Sequence, residues 1–83
     1  MSEILIKPLA TEKAIRGIES NNVITFIVAR KAKKEDIALE FERIFKVKPK
    51  SIRTLNFGGF KKAYIKLPKE MAAIDLATKI GII

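Results

Sequence analysis

Apolar positions along the chain change period several times, and each change marks an element. The run Val23-Ile24-Thr25-Phe26-Ile27-Val28-Ala29 is β-branched and aromatic throughout and too short for an amphipathic helix, so it predicts a buried central strand. Ile37, Phe41, Ile44 and Phe45 then fall at i, i+4, i+7 and i+8, which predicts a helix from Glu35 to Phe45 with one apolar face. Ahead of these, Ile4-Leu5-Ile6 is a short apolar run stopped by Lys7-Pro8, read as a short strand. Thr11 is placed to cap a helix over Glu12 to Glu19 with Ala14, Ile15 and Ile18 on its apolar stripe, and Asn21-Asn22 makes the turn that ends it.

The second half reads as a hairpin and a last helix. Gly58-Gly59 separates two strand-like runs, and the favoured two-residue turns need positive φ. With the glycines as the whole loop, Phe57 faces Phe60, Leu55 faces Lys62, Arg53 faces Tyr64 and Ser51 faces Lys66. Alternation then gathers Arg53, Lys62, Tyr64 and Lys66 on one face and Ile52, Thr54, Ala63, Ile65 and Leu67 on the other. After Pro68, Lys69 to Ile80 is expected to be a helix with Met71, Ile74, Ala77 and Ile80 inward and Gly81 at its C-terminal cap. The order β-α-β-α-β-β-α predicts a single α+β domain over residues 1–83 with a mainly antiparallel sheet, leaving one parallel pair open.

Charge decides what such a domain meets. Seventeen Lys and Arg against nine Asp and Glu in 83 residues give a formal charge of +8. Polyanions are the expected partners, nucleic acid first and anionic membrane second. The absence of Cys and His removes disulfides, thiolate chemistry, the usual zinc sites and imidazole catalysis. No phosphate-binding glycine motif or acid–base carboxylate pair is present, and no cofactor or metal is implied. The segment Met1 to Lys7 does not read as a secretory signal and no run approaches a membrane span, so a soluble cytosolic protein without membrane insertion is expected.

Two groups of residues carry candidate chemistry. Tyr64 between Lys62 and Lys66, with Arg53 opposite, offers a stacking platform beside phosphate ligands, against the plainer alternative of an ordinary solvated face. Arg30, Lys31, Lys33 and Lys34 form a basic loop suited to a phosphate backbone, or simply a solubilising turn. Glu12 compensates the helix dipole and stands among basic neighbours. Ala63-Tyr64-Ile65-Lys66-Leu67 imitates half of the aromatic motif of RNA-recognition sheets, but Lys61-Lys62 stands where a Gly-aromatic pair belongs and Leu67 replaces the last aromatic.

Four segments in order resemble a known family. Lys7-Pro8-Leu9-Ala10-Thr11-Glu12-Lys13-Ala14, Ile44-Phe45-Lys46-Val47-Lys48-Pro49, Ile52-Arg53-Thr54-Leu55 and Lys61-Lys62-Ala63-Tyr64-Ile65-Lys66-Leu67 together are similar to the universal large-subunit ribosomal protein twenty-three family in its compact archaeal form. The resemblance implies a non-catalytic constituent of the large ribosomal subunit that binds its ribosomal RNA at the rim of the polypeptide exit tunnel. RNA contacts are then expected from Lys7, Thr11, Lys13 and Lys48, and from Lys61 beside the residues already named. The resemblance further implies a docking platform for the signal recognition particle, nascent-chain-associated factors and the protein-conducting channel, with Glu12 as the docking acid. A neighbouring tunnel-rim protein of the twenty-nine family is the implied protein contact.

Two departures from the family pattern stand out. Many relatives carry a long basic extension between the last two strands, whereas Phe57-Gly58-Gly59-Phe60 closes the hairpin at once, which argues against a tunnel-probing loop here. Lys33 occupies a position where many relatives have a Thr or Ser cap. The competing readings are a protein-interaction adaptor with generic positive charge, another small basic α+β RNA-binding module, and, as a residual, a small phosphate-handling enzyme.

Overall fold

Gly58 adopts φ 61°, a left-handed conformation that costs a residue without Cβ nothing, and this turn sets the pairing of half the sheet. In the computed structural model, which describes residues 1–83, β3 (Ser51–Phe57) and β4 (Phe60–Lys66) pair antiparallel with Phe57 opposite Phe60, Arg53 opposite Tyr64 and Ser51 opposite Lys66. The register is the one expected from the glycine pair. β4 pairs on its other side with β2 (Val23–Val28), and β2 with β1 (Leu5–Pro8), giving the order β1-β2-β4-β3 with every pair antiparallel. The fold is therefore α+β as expected, and the open question of a parallel pair is answered in the negative.

Strand alternation sends Ile24, Phe26 and Val28 of β2 and Ala63 and Ile65 of β4 to one side of the sheet, where they join Leu5 and Leu67 in the core. Helix α2 (Lys34–Phe45) covers this side with Ile37 and Phe41 fully buried. Phe26 meets Phe41 edge-on at 6.1 Å, and Phe41 lies 4.8 Å from Phe45, so one aromatic cluster joins sheet to helix. The weak cap at Lys33 is mitigated from within the first turn: Asp36 accepts a hydrogen bond from the Lys33 backbone N–H at 3.0 Å, and the helix begins one residue earlier than expected.

Helix α1 (Glu12–Asn21) follows its prediction closely. The Thr11 hydroxyl accepts a hydrogen bond from the Ala14 N–H at 3.2 Å, Ala14 and Ile18 are buried, and Asn22 ends the helix in the left-handed region at φ 55°.

Helix α3 (Ala73–Lys79) departs from expectation. It is shorter than the predicted Lys69 to Ile80, its buried residues are Ala73, Leu76 and Ala77, and Ile74 is 41% exposed rather than inward. The cause lies fifty residues away in the Asn22 carboxamide. Its Nδ2 donates to the carbonyls of Leu67, Pro68 and Met71, and its Oδ1 accepts from the Ala73 N–H at 2.6 Å. Residues 67–71 are thereby wrapped around one side chain, and the helix starts only after that wrap, with a remote side chain serving its first turn.

Both outer strands have one free edge. β1 is four residues long, irregular between Leu5 and Lys7, and ends in a proline; β3 is seven residues long and carries exposed Leu55 and Phe57.

Candidate nucleic-acid interface

The sheet face turned away from α2 collects the residues of opposite parity, and register arranges them in rows. Lys7, Ile27, Lys62 and Leu55 form one row; Thr25, Tyr64 and Arg53 form the next; Val23, Lys66 and Ser51 form the third. Arg53, Lys62, Tyr64 and Lys66 thus share a face, as the hairpin register requires, and Lys7 joins them from the edge strand. The Arg53 guanidinium lies 5.9 Å from the Tyr64 ring centroid, and the Lys62 ammonium lies 4.4 Å from that of Phe57. At the hairpin tip Phe57 and Phe60 stand 5.5 Å apart, both exposed, so the face grades from cationic to aromatic.

Helix α1 walls one side of this face and leaves a cleft of about 570 Å³ beneath it. Thr11, Lys13, Ala14, Arg16 and Gly17 line the helix side; Val23, Thr25, Tyr64, Arg53, Lys62 and Lys66 line the sheet side. Five cations converge there and no acidic residue lines the cleft. Two ion pairs form in the chain, Glu12–Arg16 at 3.5 Å and Glu40–Arg43 at 2.8 Å, and neither includes Lys13, Arg53, Lys62 or Lys66. Uncompensated like charges held together on a folded surface favour an external polyanion, because bringing one in relieves their mutual repulsion.

The remaining expected residues are distributed differently. Thr11 lines the cleft while its hydroxyl is engaged in capping α1. Lys61 points to the helix side of the sheet, where its ammonium donates to the Ala32 carbonyl at 2.8 Å, so it is separated from Lys62 and Lys66 by strand parity. Arg30, Lys31 and Lys33 are exposed in the connection from β2 to α2 and Lys34 is exposed as the first residue of α2, at the hairpin-tip end of the sheet. Lys48 is exposed in the connection from α2 to β3, near the opposite end, where the Lys50 N–H bonds the Lys66 carbonyl at 2.8 Å. Glu12 sits exposed in the first turn of α1, paired with Arg16 one turn on.

Sequence reasoning missed Arg16, Lys50 and Thr25. Arg16 follows Glu12 by four residues and Lys13 by three, a spacing that puts all three on neighbouring ridges of one helix. Thr25 was legible only as part of a buried strand, since its parity to Tyr64 depends on how β2 pairs with β4.

One carboxylate outside this face is strongly perturbed. The Arg43 guanidinium donates to both Glu40 oxygens at 2.8 and 2.9 Å and, with the Ser2 hydroxyl, holds the Glu40 carboxyl down at about 2. Glu40 raises the Arg43 guanidinium in return. This pair lies within α2 and takes no part in the cationic face.

Comparison with known proteins bears directly on this surface. The family model described as ribosomal protein L23 matches residues 3–76, which takes in both walls of the cleft and the whole hairpin. The chain belongs to the ribosomal protein L23 family. Among curated L23 relatives, the large ribosomal subunit protein uL23 of Pyrobaculum aerophilum is 49% identical over 76 residues, covering 90% of this chain and 94% of its own length. The uL23 of Methanothermobacter thermautotrophicus is 42% identical over 80 residues, covering 95% and 93% respectively. Both archaeal L23 proteins match this chain nearly end to end. The L23 family is structural rather than enzymatic, in keeping with the expectation for this chain.

Proposed function

We propose that the protein is a structural constituent of the cytoplasmic large ribosomal subunit that binds large-subunit ribosomal RNA through the open face of its sheet. The observation that carries this reading is the gathering of Lys13, Arg53, Lys62 and Lys66 around Tyr64 without a carboxylate partner. Lysines and arginines displace condensed counterions from folded RNA, and Tyr64 and the planar Arg53 stack on bases or ribose, worth about 1–3 kcal/mol per base. Lys7 extends the contact along the sheet, and the loop cations Arg30, Lys31, Lys33 and Lys34 and, at the other end, Lys48 reach phosphates beyond it.

The proposed location is the rim of the polypeptide exit tunnel, beside a protein of the twenty-nine family. There α1 faces the factors that meet the nascent chain, the signal recognition particle among them, and Glu12 is the docking acid. Its exposure at the start of α1 supports this role, since a carboxylate 90% open to solvent is accessible to a basic partner.

The decisive experiment is the combined change Lys62→Ala, Tyr64→Ala and Lys66→Ala, assayed for binding to a large-subunit ribosomal RNA fragment over a range of salt. The folded variant is expected to lose at least about tenfold in affinity and to show a salt slope shallower by about two, one unit for each phosphate contact removed. Unchanged affinity in the folded variant overturns the reading.

A further inference from the structure

The geometry points to a nucleotide pocket within this interface: the cleft between α1 and the open sheet face receives a single unstacked RNA nucleotide, its base over Tyr64 and within reach of the Thr25 hydroxyl. This rests on the RNA-binding reading above and adds to it a specific unit of recognition, an extruded nucleotide rather than a duplex backbone.

Size comes first. A cleft of about 570 Å³ lies in the range of small-ligand sites, the size of one nucleotide rather than of a paired stem. Its helix wall is kept low by Ala14 and Gly17, neither of which has a side chain long enough to fill it.

Thr25 is the second observation. It is the only buried polar residue in the protein, 4% exposed, and it lines the cleft. Its hydroxyl takes part in none of the side-chain hydrogen bonds of the chain. No polar side-chain atom of the protein is both sealed from solvent and without a partner, so this hydroxyl, which makes no hydrogen bond within the chain, keeps its access through the cleft and is free to give or accept a hydrogen bond there. Thr25 sits in the same cross-strand row as Tyr64 and Arg53, so its hydroxyl lies beside the ring that would take the base.

Chemistry completes the match. A nucleotide has an aromatic plane, polar base edges and a phosphate on either side. The cleft offers Tyr64 for the plane, Thr25 for an edge, and Lys13, Arg16 and Lys66 at the rim for the phosphates. A peptide segment matches this set poorly, since four of its five cations, Lys13, Arg53, Lys62 and Lys66, have no carboxylate partner and select anions.

Two short RNA hairpins of the same stem test the inference, one fully paired and one carrying a single unpaired fluorescent adenine analogue. The bulged hairpin is expected to bind about tenfold more tightly and its fluorescence to be quenched on binding. Thr25→Val, which keeps shape and removes the hydroxyl, and Tyr64→Leu are each expected to erase most of that preference, read as the ratio of the two hairpin affinities. Should Tyr64→Leu fail to fold, Thr25→Val and the quenching of the wild-type complex carry the test. Equal binding of both hairpins without quenching overturns the pocket and leaves the RNA-binding reading standing; no binding of either overturns both. Competition by free adenosine monophosphate at the concentration of the hairpin would overturn it too, reassigning the cleft to a soluble mononucleotide.

Discussion

The Asn22 carboxamide receives the Ala73 N–H at 2.6 Å across fifty-one residues of sequence, binding the end of one helix to the beginning of another. The same side chain gives three hydrogen bonds to the carbonyls of Leu67, Pro68 and Met71. Asn22→Gly keeps the left-handed backbone at φ 55° without strain and removes only the side chain. We expect a loss of about 3 kcal/mol in urea unfolding, from several part-buried hydrogen bonds worth about 1 kcal/mol each. Asn22→Asp retains the acceptor for Ala73 but sets a carboxylate oxygen against three carbonyls, and is expected to lose at least as much.

Gly17 offers the opposite case. It lies inside α1, and a Cβ built on it would meet only the Val23 carbonyl oxygen, at an ordinary 3.7 Å. Gly17→Ala is therefore expected to stabilise the protein by about 0.5–1 kcal/mol, read as a raised unfolding midpoint. Destabilisation would mean that α1 sits closer to β2 than this separation indicates.

Glu40 gives the acid limb of stability a definite sign. Its carboxyl is held at about 2 in the folded protein against an ordinary 4.5. Since the folded value is the lower one, the stabilisation is fully present above about pH 4.5 and is lost as pH falls from there through about 2. Glu40→Gln should lower the melting temperature at neutral pH and flatten its decline over that acid window. Parallel melting curves of the two proteins across the window would count against the ion pair.

Glu12→Lys separates docking from assembly. The change breaks an exposed i, i+4 pair with Arg16 and sets a cation at a helix N-terminus, costing at most about 1 kcal/mol. Incorporation into the large subunit is expected to survive while binding of the signal recognition particle to the variant ribosomes weakens. Equal binding to variant and wild-type ribosomes removes Glu12 from the docking site.

Local signals explain what the sequence made legible. Gly58-Gly59 determined the β3–β4 register because the turn is short and the parity of its flanking residues is binary, so Arg53, Lys62, Tyr64 and Lys66 fell onto one face by counting. Thr11 and the Ala14–Ile18 spacing delimited α1 by the same kind of local rule. The start of α3 was not legible, since it depends on the Asn22 side chain reaching residues 67–73, a relationship no local pattern records. Lys61 illustrates a finer limit: it reads as one more cation in a basic run, yet parity turns it toward the Ala32 carbonyl. Thr25 and Arg16 entered the candidate site only when α1 was seen standing beside the open face.

The free edge of β3 carries a consequence for the protein before it is assembled. That edge is long, bears exposed Leu55 and Phe57, and is a template onto which a second copy could add a strand. Mutual repulsion between bodies of charge +8 is what keeps copies apart, and any polyanion that neutralises the charge removes the barrier. Colloidal solubility and the proposed RNA affinity thus draw on the same lysines and arginines. Titrated with substoichiometric RNA, the protein should pass through a turbid interval and clear only when each copy has its own binding site, which makes the order of mixing decisive in any reconstitution.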